Sequence, residues 1–426
     1  MERDRPRRAT DGGRPSTWRS ESVGKMGRAP ANVAPAAKAP ETDPSADVHL
    51  WDSWLLRDRY GGVATVDGWQ VLFSLTADSD LLPEARHDVA EIRYFYSRNG
   101  QDWEPGGTLF EGAALGQRQW SGAAVYDDDA LVVFYTATGD ERASEPTPDQ
   151  RIAAAHGGVI ESSADTITLE GPWTHEQLLE PDGDHYQTRD RSRELTYAFR
   201  DPFLFEDPAG DDLYMLFEAN TPVSEESNPC AGTPQQQHYS GAVGIARSVG
   251  GSLLEWELLP PLFEAVCVNH ELERPHIVSR EGRFYLFFST HRHMFAPRLS
   301  GFDGLYGFAA DSLRGNYQPL NDSGLVVANP ADVPFRSYSW MVYEHQDELL
   351  VQSFLNYEDI AAESLEVVEE LSADEQRTRF TGTLGPTLRL GLDGHHTSLQ
   401  GVLDHWHLPG PTDPLPSSTD SKPQNR

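Results

Sequence analysis

Lysine is almost missing from this chain of 426 residues: only Lys25, Lys38 and Lys422 occur, so residues 39–421 carry arginine as their sole permanently charged cation. Beyond the first forty-odd residues there is no basic cluster, which excludes a groove for a polyanion such as nucleic acid. The only two cysteines, Cys230 and Cys267, sit in no CxxC or zinc-ligand spacing, so they suggest no cysteine zinc site, while a single disulfide stays open. No apolar run approaches the roughly 18 residues of a membrane span. The basic start, with Arg7 and Arg8, is followed by no apolar stretch of signal-peptide length, which leaves a misassigned start, unconventional export and a cytoplasmic location all open.

What the chain does have is acid. It carries 67 Asp plus Glu against 34 Lys plus Arg, a formal charge of −33. Residues 1–47 hold 9 basic and 7 acidic side chains, so the remainder carries 25 against 60, or −35. Crowded carboxylates repel at low salt, and near-absence of lysine beside them points to a salt-rich cytoplasm or medium. With 38% hydrophobic and 10% aromatic residues the chain can still bury a sizeable core.

Residues 1–47 and 411–426 are rich in Pro, Ser and charge without apolar periodicity and are expected as disordered tails, leaving one domain over 48–410. Inside it, short β-branched and aromatic runs alternate with Gly, Asp and Pro, and helical periodicity is confined to pieces such as 361–371. The chain reads as all-β. Five runs resemble one another: VLFSLT from Val71, LVVFYT from Leu131, LYMLFE from Leu213, FYLFFS from Phe284 and LLVQSF from Leu349. Small-residue strands follow several of them (GAVGIARS at 241–248, LYGFAADS at 305–312), and WELLPPL at 256–262 and YQPL at 317–320 supply a fourth strand. A four-stranded unit repeated five times cannot bury its faces alone, so radial stacking into a five-bladed β-propeller is expected, with a two-sheet sandwich as the alternative.

The repeat also singles out polar residues. Trp120, Asp201, Glu273 and Tyr338 lie 11 or 12 residues before their aligned runs, at the starts of the strands that would line a central channel, and Asp52 lies 19 before Val71. Taken alone, each is a turn cap or a core aromatic; one per repeat at near-constant offset, they converge. Three carboxylates among aromatics suit glycoside chemistry, in which one attacks the anomeric carbon and another, held protonated, protonates the leaving oxygen.

At these same residues the sequence resembles glycoside hydrolase family 68, the levansucrases, inulosucrases and related β-fructofuranosidases. The likeness runs from about Leu50 to Leu403 through LWDSWLL (50–56), WSGAAV (120–125), YQTRD (186–190), FRDPFLFEDP (199–208), MLFEAN (215–220), ELERPHIV (271–278), YLFFSTHR (285–292), DGLYGF (303–308) and YSW (338–340). The resemblance implies a five-bladed propeller acting on sucrose by double displacement, releasing glucose and passing fructosyl to sucrose, fructan or water. It implies Asp52 as nucleophile, Glu273 as general acid/base and Asp201 as transition-state stabiliser. Trp51, Trp120, Ser121, Arg200, Glu218, Glu271, Arg274, His291 and Tyr338 match the sugar-binding shell, with Ser121 supporting the nucleophile. It implies no organic cofactor, a monomer and secretion.

Two departures matter. Calcium-binding members have an acidic residue where His270 stands, so that calcium site is expected to be missing, and they have Arg where this chain has His291. His291 and His293 share a strand face, but two histidines with no carboxylate nearby make a poor metal site, and no metal is expected. Inulin formers occur among halophilic archaeal relatives, which tilts the linkage expectation to inulin over levan. A plain β-fructosidase, an arabinanase and a non-catalytic carbohydrate-binding propeller are the alternatives; the last would have lost a carboxylate, and all three remain.

Overall fold

The computed structural model describes residues 14–112, 114–192, 197–210, 212–223, 229–230, 233–346, 348–361, 364–411 and 415. The expectations for 1–13, 412–414 and 416–426 lie outside these. Strands dominate, and the helices are short pieces, the longest α-helix being Ala373–Arg379. Among the described residues no helix is long and apolar enough to cross a membrane.

The strands fall into five antiparallel units in chain order. Their inner strands are Val48–Arg57, Arg118–Asp127, Phe199–Glu206, Glu273–Arg280 and Ser337–His345. Each pairs with the strand formed by one of the five similar runs: Trp69–Asp78, Ala130–Thr138, Leu213–Asn220, Arg283–Thr290 and Glu348–Tyr357. Third and fourth strands continue outward, for example Gly241–Ser248 and Trp256–Glu264 in the third unit. The first two units join into one sheet by a short parallel pairing of Leu56 and Arg57 with Ala124 and Val125. The inner strands lie against one another in order, first on second through to fifth, and the fifth also touches the first. Second strands are apolar on both faces because each is covered by neighbouring units; Leu213–Asn220 is buried at every position.

Every inner strand carries a β-bulge near its start. The register slips by one residue after Trp51, Trp120, Arg200, Glu273 and Tyr338. The extra residue falls in Asp52, Ser121, Asp201, Arg274 and Ser339, so a consecutive pair of side chains is delivered where alternation would deliver one. Four of the five second members have left-handed backbone, with φ of 45° at Asp52, 62° at Asp201, 51° at Arg274 and 55° at Ser339. Each such non-glycine residue costs roughly 1–3 kcal/mol, the kind of strain that gathers at functional sites. In the second unit the bulge is accommodated by Gly122, where a Cβ would collide with the Phe134 carbonyl.

The bulges correct one detail of the sequence alignment. Asp201 is equivalent to Asp52, Ser121, Arg274 and Ser339, while Trp120, Glu273 and Tyr338 align with Arg200. More residues separate Glu206 from Leu213 than separate the paired strands of the second, fourth and fifth units, which shifts the count.

Residues 14–47 are not the loose tail their composition implies. Ser16–Thr17 adds a parallel strand beside Phe263 and Glu264. Trp18, 1% exposed, is ringed by Phe288, Phe295, Tyr306 and Phe308; burying an aromatic of this size contributes roughly 2–3 kcal/mol. The segment then runs across the fourth unit, where Val33 bridges Ala328, and the fifth, where Arg336 Nε donates to the Ala37 carbonyl and His405 Nε2 bonds the Lys38 carbonyl. Anchors this widely spaced leave no periodicity to read.

Cys230 and Cys267 form a disulfide, the pairing the sequence left open.

Candidate active site

Antiparallel pairing puts the starts of the inner strands beside the ends of the second strands, so one rim collects side chains from both. At that rim lies a cavity of about 530 Å³, lined by Trp51, Asp52, Arg200, Glu271, Glu273, His291 and Tyr338 among others. Asp52 accepts a hydrogen bond from Ser121 Oγ at 3.1 Å. Asp201 is 6% exposed; its Oδ2 accepts from the Arg274 amide at 3.0 Å, and its own amide donates to Thr136 Oγ1 at 3.0 Å. Glu273 accepts from Arg200 Nη2 at 2.9 Å and from the Tyr338 hydroxyl at 2.5 Å.

Arg200 is the hub. Its Nε donates to Glu218 at 2.7 Å, and the guanidinium also approaches Glu271 at 3.7 Å and Asp201 at 3.9 Å. Burial works against its charge, but four surrounding carboxylates hold it well above its ordinary pKa. One arginine cannot neutralise them all. Burial, then repulsion from Glu271, pushes Glu273 up to about 8. Burial also raises Asp201 to about 6, with Arg200 opposing and Asp52 adding to the rise. The site therefore separates its carboxyls into proton holders and anions, the arrangement that acid/base chemistry requires.

Not every expected residue reaches the cavity. Glu218 is fully buried and occupied by Arg200 and the Leu272 amide. The Arg274 guanidinium, expected against sugar, lies beneath the carboxylates, donating to Ser339 Oγ at 2.8 Å and to the Ser53 carbonyl at 2.5 Å. It ties the first, fourth and fifth units together. Ser121 and Asp201 are buried behind the surface, and Trp120 anchors by donating Nε1 to the His87 carbonyl at 2.9 Å.

Three groups at the rim were not singled out from sequence. Arg86 and His87, from the short helix Pro83–Asp88, line the wall beside Trp51, whose ring meets His87 edge-on at 5.6 Å. Ser364, Leu365, Glu366, Val368, Glu369 and Gln376 add a further part of the lining. Asp303 Oδ2 bonds His291 Nδ1 at 2.7 Å from behind. The available signal was position: the first of these groups and His291 follow second strands, at the same rim as the bulges.

Carboxylates do stand near His291, contrary to expectation, since Glu271, Glu273 and His291 present ligand atoms within 4.8 Å of one another. The chemistry still argues against a metal. Burial would depress the His291 imidazole, but Asp303 carries it up to about 10, and a cationic ring has no lone pair for a metal. His270, at the expected calcium position, is 3% exposed, and its carbonyl accepts from Asn220 Nδ2 at 3.0 Å.

Buried carboxyls bridged by arginine and tyrosine, in a cavity walled by the Trp51 indole on an all-β scaffold, define a carbohydrate-active enzyme. The chain belongs to the levansucrase/invertase family, glycoside hydrolase family 68, whose model matches residues 11–409. It is 33% identical to a levansucrase of Rahnella aquatilis over 428 aligned residues, covering 93% of this chain and 96% of that one. It is 34% identical to an extracellular sucrase of Zymomonas mobilis over 380, covering 85% and 87%. The solved structure of an inulosucrase from Halalkalicoccus jeotgali bound to kestose superposes with a TM-score of 0.93 at 50% identity, covering 95% of this chain and 100% of that one.

Proposed function

We propose that the protein is a retaining fructosyltransferase that splits sucrose, releases glucose and transfers the fructosyl unit to sucrose, a growing fructan or water. The observation that carries this is the gathering of three carboxyls from three equivalent bulges, Asp52 and Glu273 lining one cavity and Asp201 buried behind it, with Glu273 held protonated at neutral pH. Asp52, steadied by Ser121, attacks the anomeric carbon. Glu273 gives its proton to the departing glucose oxygen, then takes one from the acceptor hydroxyl. Asp201 remains an anion on the fructosyl side, where positive charge accumulates in the oxocarbenium-like transition state. The five units stand radially as blades of a propeller over 48–410, forming one catalytic domain. The family calcium site is absent, and the chemistry needs no organic cofactor. The protein works outside the cell as a monomer; the disulfide and the extracellular relative support the location. Identity to an inulosucrase favours β-2,1 product.

Incubation with sucrose in molar salt tests the reading: glucose exceeding free fructose is expected. Equal amounts would make the enzyme a hydrolase, and release of neither would overturn the assignment. Linkage NMR of the product is expected to give β-2,1 bonds.

The pH profile has a definite shape. Asp201 must be ionised, so kcat/KM is expected to fall as pH drops below about 6; Glu273 must be protonated, so it falls again above about 8. These carboxyls titrate as a coupled set, so the two limbs belong to the group. A profile flat from pH 5 to 9 would contradict these roles.

A further inference from the structure

His291 faces the cavity as a cation, and its orientation is set from behind. Its ring stacks on Tyr338 with centroids 3.7 Å apart and planes 11° from parallel. Asp303, 2% exposed, places Oδ2 2.7 Å from Nδ1 and fixes its other oxygen on the Arg292 amide at 2.9 Å. The carboxylate is thus anchored by backbone on one side and grips the imidazole with the other. With Nδ1 engaged and the ring lining the cavity, Nε2 is the atom left to meet a ligand. The charged and titratable groups around the ring are Asp303 behind it, Glu271 and Glu273 from the fourth unit, Tyr338 from the fifth, His293 on its own segment, stacked at 5.2 Å, and His87 across the cavity.

We propose that Asp303 is a positioning residue that keeps His291 an oriented cation, whose Nε2–H is a fixed donor to a hydroxyl of the leaving or accepting sugar beside Glu273. The inference rests on the fructosyl-transfer reading above. A planar donor held by a buried carboxylate does here what a guanidinium fork would do, but only while the imidazole stays charged. Its charge also offsets part of the Glu271–Glu273 repulsion. Without Asp303 only Glu271 and Glu273 still oppose burial, so the ring gives up its proton at lower pH, inside the assay range.

The test compares Asp303→Asn with His291→Arg/Asp303→Asn, using sucrose in molar salt from pH 5 to 8.5, with thermal melts to confirm folding. Asp303→Asn is expected to approach wild-type kcat/KM near pH 5.5. By pH 8 it loses at least tenfold relative to wild type at that pH, mainly through KM. In the double variant, where arginine is charged at every pH, the added loss between pH 5.5 and 8 disappears. A pH profile for Asp303→Asn parallel to wild type would overturn the proposal, as would a double variant that keeps the added loss. Failure of the underlying functional reading is separately visible, because the wild type would then release no glucose at any pH.

Discussion

Replacing Asp52 with Asn is expected to lower glucose release from sucrose by about 10⁴-fold or more, because the nucleophile is removed while its shape is kept. The amide can still accept the Ser121 hydrogen bond made at 3.1 Å, so the bulge survives and folding is not the cause. Glu273→Gln is expected to cost about 10²–10⁴-fold, the usual range for a lost general acid. The glutamine side chain would keep a hydrogen-bonding partner for Arg200 and Tyr338. The two variants separate when the leaving group needs no proton. Fructosyl fluoride expels fluoride without acid help, so Glu273→Gln should recover much of its first step on that substrate while Asp52→Asn recovers none. Either variant retaining more than a tenth of wild-type sucrose turnover would refute its role, and equal recovery of both on the fluoride would refute the division of labour.

The convergence of these carboxyls was legible because each unit repeats one pattern and the second strand is its most apolar part. Counting back from VLFSLT-like runs located the inner strand starts without any knowledge of contacts. It failed by one residue at Asp201 and gave Asp52 an offset of 19, because the turns between the first two strands differ in length and a count cannot see a turn. The bulge itself was invisible: Trp51–Asp52, Trp120–Ser121, Arg200–Asp201, Glu273–Arg274 and Tyr338–Ser339 look like any adjacent pairs until the register slips. Arg274 shows the limit of motif matching. It stands beside Glu273 in ELERPHIV, yet its left-handed backbone turns the guanidinium under the site to Ser339 and Ser53. Asp303, though it heads the DGLYGF motif, and Arg86 carried no assigned role, because an orienting carboxylate and a buried arginine show no periodicity.

Dialysing the salt away is expected to lower Tm by roughly 10 °C and to reduce activity along with it, through repulsion between surface carboxylates. Spreading 67 carboxylates over an accessible surface of 19542 Å² gives each about 290 Å², or neighbours about 17 Å apart. At 1 M salt the screening length is about 3 Å and such neighbours do not sense each other; at 0.01 M it is about 30 Å and every carboxylate feels several others. The arginines cannot offset this, since many are already committed: Arg200 and Arg274 inside the site, Arg336 on the 14–47 segment, and Arg59 bridging Asp127 and Glu206 between units. The 14–47 segment should release first, because much of what holds it is backbone pairing and a few single anchors such as Trp18 and Arg336, rather than a sheet of its own. Proteolysis in falling salt, read by mass spectrometry, should therefore cut within residues 14–47 before the units themselves. The neutral substrate gives the charge no part in binding, so KM for sucrose should stay nearly constant while the folded fraction falls. A Tm unchanged in salt-free buffer would remove salt adaptation as the reason for the acidic surface.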